Sequence, residues 1–194
     1  MQLKDYNGKD GKRVWLTTDE VDLLLQATEN TRQKIAVGLG VRSGLRRAEI
    51  VMVTPKDIVD TPGGLRVRVW NGKGDKYREA PVSRNLYSTI QAYADVRSES
   101  DETPLVDVQT RTVERWVKRA ATECEEETGD VGWSHLTPHD LRRTWGTLLV
   151  ESEVEPGLVM EFGGWEDWET FREHYLGAYS AEMQRQQLEK VDWL

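Results

Sequence analysis

A small set of side chains in this sequence is suited to a single kind of chemistry. Arg46 and Arg47 follow Gly44-Leu45 at a helix start, and Lys73 stands between Gly72 and Gly74. His139 and Arg142 lie three residues apart, and Tyr175 lies near the C-terminal end. At helical spacing His139 and Arg142 project from one face. Guanidinium forks clamp the non-bridging oxygens of a phosphate, and an ammonium or imidazolium can donate a proton to a leaving oxygen. A phenol adds a nucleophile. No carboxylate cluster of the kind that holds a divalent metal accompanies them. The set suits an oxyanion, specifically a phosphate diester. Singly, each member has a plainer reading. Gly-Leu-Arg is a common helix start, Gly-Lys-Gly a turn with a solvated lysine, His-x-x-Arg a surface pair, and one tyrosine a rim aromatic. The weight rests on the combination.

These residues must be held by elements, and the pattern predicts them. Thr17 and Glu20 fit a capping box before the apolar run Val21, Leu23, Leu24 and Leu25. A second helical pattern runs from Thr31 to Val41. Gly44 punctuates it, and a short helix over Leu45–Val51 ends before Pro55. Alternation over Leu65–Trp70 reads as a half-buried strand. The turn-rich NGKGDK (71–76) and a second strand over Tyr77–Val82 complete a β-hairpin. From there the pattern is helical: Ser83 to Arg97, an acidic loop at 98–107, and Thr112 to Thr128. A helix to Val150 opens on Thr137-Pro138-His139-Asp140, with threonine at the N-cap, proline next and an acid two residues on. Shorter helices follow at Pro156–Phe162, Trp168–Tyr175 and 181–191. Residues 1–13, with Gly8, Gly11 and no period, read as a flexible lead-in. The expected class is mainly α with one small antiparallel sheet (α+β), in a single domain over 14–194.

Composition narrows the classes. The chain has 194 residues and a net charge of −8, with 17 Arg against 9 Lys and acidic runs such as ESDE at 99–102. No stretch is long and apolar enough to cross a membrane, and the polar N-terminus lacks the core of a secretory signal. A single cysteine, Cys124, excludes a disulfide framework and a multi-cysteine metal site. A cytoplasmic, halophilic protein is expected, since strong negative charge keeps a chain hydrated in high salt. The charge is also unevenly spread. Residues 61–90 carry six basic and two acidic side chains, whereas 151–173 carry eight acids against Arg172. A basic face with an acidic outer face suits a polyanionic partner.

Order and spacing sharpen this. Gly44-Leu45-Arg46-x-x-Glu49, the hairpin GKGDKYREAP (72–81), the helix start PHDLRRTWGT (138–147), Gly164-Trp165 and Tyr175 occur in that order, with the two arginines 96 residues apart. As a joint pattern over residues 15–194 this resembles the tyrosine recombinase (phage integrase) family, in a haloarchaeal-like form. The resemblance implies the family's DNA breaking–rejoining catalytic fold. It also implies a site-specific recombinase or integrase that cuts and rejoins double-stranded DNA through a 3′-phosphotyrosyl intermediate, without metal, ATP or other cofactor. It makes Arg46, Lys73, His139, Arg142, Trp165 and Tyr175 catalytic, with Glu49, Arg47, Lys76, Arg78 and Arg143 supporting the site or binding DNA. It further implies self-association on DNA, as a tetrameric synapse, and no membrane.

Departures from the family pattern are part of the expectation. Trp165 stands where a histidine or tryptophan is found, and its indole can donate but cannot shuttle a proton. Tyr175 lies ten residues beyond Trp165 where nine is common, so His174 takes the usual position and Tyr179 remains a second candidate nucleophile. The N-terminal core-binding domain that clamps the far face of DNA is expected to be absent, making this a fragment or a minimal form. Three other readings compete: a recombinase-derived DNA-binding protein without strand cleavage, a metal phosphohydrolase suggested by His139-Asp140, and a type IB topoisomerase.

Overall fold

The computed structural model describes residues 1–5, 11–70, 77–175, 185 and 188–191, and the side chains of 173–175 lie outside that description. Strands β1 (Gln2–Asp5) and β2 (Lys12–Trp15) come first, then helices α1 (Thr18–Gln26), α2 (Thr31–Ser43) and α3 (Arg47–Ile50). Strands β3 (Ile58–Thr61), β4 (Gly64–Val69) and β5 (Arg78–Pro81) follow. Helices α4 (Arg84–Val96), α5 (Thr110–Thr128), α6 (Pro138–Glu151), α7 (Pro156–Gly163) and α8 (Trp168–Tyr175) complete the order, with 3-10 turns at Pro55–Asp57 and Val131–His135. The class is the expected one, mainly helical with small antiparallel sheets.

Helix α2 is the hub. Val37, Leu39 and Val41 are buried, as are Ile35 and Ala36, so its apolar residues do not form one stripe. It lies against α1, α4, α5 and α6. Two glycines permit the closest approaches. A Cβ at Gly38 would stand 2.9 Å from Leu86 of α4, and one at Gly40 would stand 3.1 Å from Leu141 of α6. One core gathers Leu39, Ile50, Val67, Val82, Ile90 and Leu105 between α2, α4 and the sheet. A second gathers Val14, Leu24, Val37, Val117, Trp133 and Leu141. Each large aliphatic side chain so buried contributes about 1.5–3 kcal/mol.

Three local expectations change. The lead-in over 1–13 contains paired strands: β1 and β2 are antiparallel, with Gln2 opposite Trp15 and Asp5 opposite Lys12, and Val14 is fully buried. Four-residue strands carry too little period to be read from sequence. The expected two-stranded hairpin is a three-stranded sheet in the order β3-β4-β5, because Ile58 pairs with Val67 and Thr61 with Gly64. The short helix near Leu45 is confined to Arg47–Ile50, since Gly44 closes α2 in the left-handed conformation (φ 67°) and Arg46 is extended. The hairpin tip (71–76) and most of the expected helix over 181–191 lie outside the described residues. Among the described residues no helix is long and apolar enough to cross a membrane.

Candidate active site

Two helix starts and one helix corner assemble the site. Arg46 is the N-cap residue of α3, and its main-chain N–H donates to Glu49 Oε2 at 2.7 Å while its guanidinium donates to Glu49 Oε1 at 2.7 Å. On the other side of Glu49, Arg78 of β5 donates from both terminal nitrogens, at 2.9 and 2.6 Å. A single buried carboxylate therefore orients both arginines. Burial pushes the Glu49 pKa up, but the bonds and charge of Arg78, with those of Arg46, more than offset this and hold it below the usual carboxylate range. Arg78 also donates from Nε to Phe162 O at 3.0 Å, which ties the sheet to the end of α7.

Helix α6 supplies the second arm. Pro138 takes the first helical position, and Thr137 N–H donates to Asp140 Oδ2 at 2.9 Å. His139 is exposed, and Arg142, on the same side, is 1% exposed. The Arg142 guanidinium donates to Gly44 O and to Gly163 O, each at 2.5 Å, and lies over the Trp165 ring at 4.2 Å. The ring is fixed in turn: a Cβ at Gly163 would stand 2.2 Å from Trp165 Cζ3, so the indole lies directly on the main chain. Trp145 at 5.8 Å and Phe171 at 4.9 Å, measured between ring centroids, complete the aromatic stack. Phe171 belongs to α8, so the helix ending at Tyr175 is packed through this stack against the bed of Arg142.

Arg46, His139 and Arg142 line one cleft of about 400 Å³, with Arg47, Glu114, Thr137 and Pro138. Arg46 also borders a neighbouring cleft of about 960 Å³ with Trp165, Arg78 and Tyr77. The structure thus brings together Arg46, His139, Arg142 and Trp165, supported by Glu49 and Arg78. Arg47 is exposed beside them and ion-paired with Glu114. Arg143 does not border the cleft, so the structure departs from the part of the expectation that has it meeting DNA. It is buried, ion-paired with Asp140 and lies over the Trp15 ring at 5.5 Å, because one position along a helix turns the side chain from cleft to core. Lys73, Lys76 and Tyr179 lie outside the described residues, and Tyr175 is described only as the last residue of α8.

Sequence reasoning missed the carbonyls of Gly44 and Gly163, and it missed Trp145. Only Gly44 left a signal, as a helix-ending glycine. Burial and the nearby Glu127 and Glu123 push the Cys124 thiol up to about 11, an inert core group. Among the described residues no group of three or more His, Cys, Asp or Glu side chains is placed to hold a metal ion.

Comparison with known proteins adds the decisive observation. The model of the phage integrase family matches residues 14–182. The chain belongs to the phage integrase family. Its relatives include the tyrosine recombinase XerA of Thermococcus kodakarensis, 34% identical over 151 residues, covering 77% of this chain and 53% of the relative. Tyrosine recombinase XerC of Vibrio atlanticus is 32% identical over 164 residues, covering 80% and 51%. The integrase-family chain thus spans about half the length of these relatives. Among solved structures, XerA recombinase matches with a TM-score of 0.74 at 21% identity, over 92% of this chain and 65% of the other. XerH site-specific recombinase, in a post-cleavage complex with a palindromic difH substrate, matches with a TM-score of 0.70 at 20% identity, over 100% and 56%. At such identities the likeness is one of fold.

Proposed function

We propose that residues 14–194 are the strand-cleaving domain of a tyrosine-type site-specific DNA recombinase. The observation that carries this reading is the convergence of Arg46, His139 and Arg142 on one cleft, from segments 96 residues apart. Two guanidinium groups and an imidazole at one cleft suit a phosphate diester whose charge grows in the transition state. Tyr175 is the nucleophile. A free phenol titrates near pH 10, so it needs a base and a cationic setting, and His139 supplies the base. The phenolic oxygen bonds to phosphorus, its proton passes to His139, and the bond from phosphorus to the 5′-oxygen breaks. Lys73 gives that leaving oxygen its proton. A 5′-hydroxyl, from the same or a partner strand, reverses the step, so the phosphoester bond energy is retained and neither ATP nor a metal is called for. Trp165 seats Arg142 and can donate to the phosphate.

The substrate in this reading is duplex DNA, held by several copies of the chain in a tetrameric synapse, and the setting is a cytoplasm of high salt. Support comes from the names of the relatives, from the basic balance of residues 61–90, and from the net charge of −8. The test is covalent attachment to a nicked duplex, read on a denaturing gel. Tyr175→Phe should abolish the adduct while leaving DNA binding within about 1 kcal/mol, since only a hydroxyl is lost. Tyr179→Phe should retain it. An adduct with Tyr175→Phe moves the nucleophile to Tyr179. Binding by the unaltered chain with no adduct at all replaces the recombinase with a recombinase-derived DNA-binding protein.

A further inference from the structure

The core-facing side of α6 has a polar edge that the proposed chemistry does not use. Asp140 and Thr144 are fully buried, and Arg143 is 1% exposed. Val14 N–H donates to Asp140 Oδ1 and Leu16 N–H donates to Thr144 Oγ1, both at 3.1 Å. The spacing explains why β2 and Leu16, the residue that continues its edge, can clip one helix at two points. Side chains four apart on a helix are separated by about 6 Å along its axis. Main-chain N–H groups two apart on a strand edge are separated by about 6.6 Å and point the same way. The opposite edge of β2 is occupied by β1, so α6 covers the free edge that would otherwise leave buried donors without acceptors. Asp140 does more than accept from Val14. It takes the Thr137 N–H and hydroxyl at the helix start and ion-pairs with Arg143, whose guanidinium lies over Trp15 of the same strand.

His139 and Arg142 are interleaved with this edge in sequence and face the cleft. A helix that is free to turn about its axis, or to slide by a fraction of a residue, would carry both away from Arg46. We propose that Asp140 is a positioning residue: clipped to the free edge of β2 and to Arg143, it sets the rotation of α6 and hence the aim of His139 and Arg142 into the cleft. Thr144 is the second point of the same clip. The inference rests on the functional reading above only for the claim that this aim matters to strand cleavage; the placement of Arg142 can be read independently.

The test uses the whole chain and two readouts. The first is the indole ¹H–¹⁵N resonance of Trp165, which reports the Arg142 guanidinium lying on its ring. The second is the rate of covalent attachment to a nicked duplex at saturating DNA. Asp140→Asn keeps an acceptor oxygen but removes the charge that holds Arg143. It should shift the Trp165 resonance and slow attachment about 10- to 100-fold, as small misplacements of catalytic groups do, with DNA affinity within about twofold. If Asp140→Asn does not fold, Thr144→Val removes only the second clip and should shift the same resonance. Val21→Ala, a core truncation in α1, is the control for lost stability and should leave the resonance in place. A Trp165 resonance unmoved in the clip variants, or moved equally by Val21→Ala, overturns the proposal. A shifted resonance in a chain that never attaches to DNA leaves the positioning role standing and removes the recombinase reading instead.

Discussion

Glu49 shows how much one side chain can organise. It is buried, and its two oxygens accept from Arg46 and Arg78 on opposite sides. Its pKa in the folded chain is lowered from the ordinary value, so folding favours the ionised form. The contribution is therefore present above the unfolded carboxylate range near about pH 4.3 and is lost as pH falls through the lower folded value. Glu49→Gln should cost about 3–5 kcal/mol at neutral pH by leaving Arg78 buried without its charge partner. It should also flatten the acid limb of stability against pH. Urea unfolding of both proteins at neutral and acid pH measures this, and an unchanged slope would show that Glu49 is not the group responsible.

At the scale of elements, the corner between α2 and α3 is held by a glycine for two separable reasons. Gly44 has φ 67°, and a Cβ there would stand 2.2 Å from the Trp145 ring. Gly129, which closes α5, has φ 69° but nothing within 4 Å of its absent Cβ. Gly129→Ala should cost only the left-handed backbone term, about 1–2 kcal/mol. Gly44→Ala adds overpacking against Trp145, about 1–3 kcal/mol more. Because the Gly44 carbonyl holds Arg142, its replacement should also lower the rate of strand cleavage, whereas Gly129→Ala should not. Thermal unfolding and the attachment assay together check both parts. Equal losses of stability would show that Trp145 can yield.

On the scale of the whole molecule, charge is segregated rather than balanced. The chain carries a net −8, yet α5 exposes Arg111, Arg115 and Lys118 along one side, while the stretch through α7 and α8 is rich in acids. DNA held through such a basic surface depends on phosphate contacts that release counterions. Log affinity should therefore fall with log salt by about 0.9 for each phosphate neutralised. A flat plot, measured by fluorescence anisotropy on a duplex without a recombination site, would remove the electrostatic basis of the proposed binding.

Much of this was legible in the residues. Caps at Thr17, Ser83 and Thr137 depend on contacts three residues apart, and amphipathic faces such as that of α5 repeat within a few turns, so both are written locally. The order of Arg46, His139, Arg142, Trp165 and Tyr175 is likewise a property of the chain, and it pointed to the family. What chain order could not supply is which side of a helix faces which neighbour across the core. Arg142 and Arg143 are adjacent and chemically alike, yet one borders the cleft and the other is paired with Asp140 beneath Trp15. The strand β2 that separates these fates is four residues long, and it and the Leu16 that follows it meet α6 at positions more than 120 residues away. Local propensity carries no record of such a contact. Only packing, which turns α6 so that its buried polar atoms meet the free edge of β2, decides it.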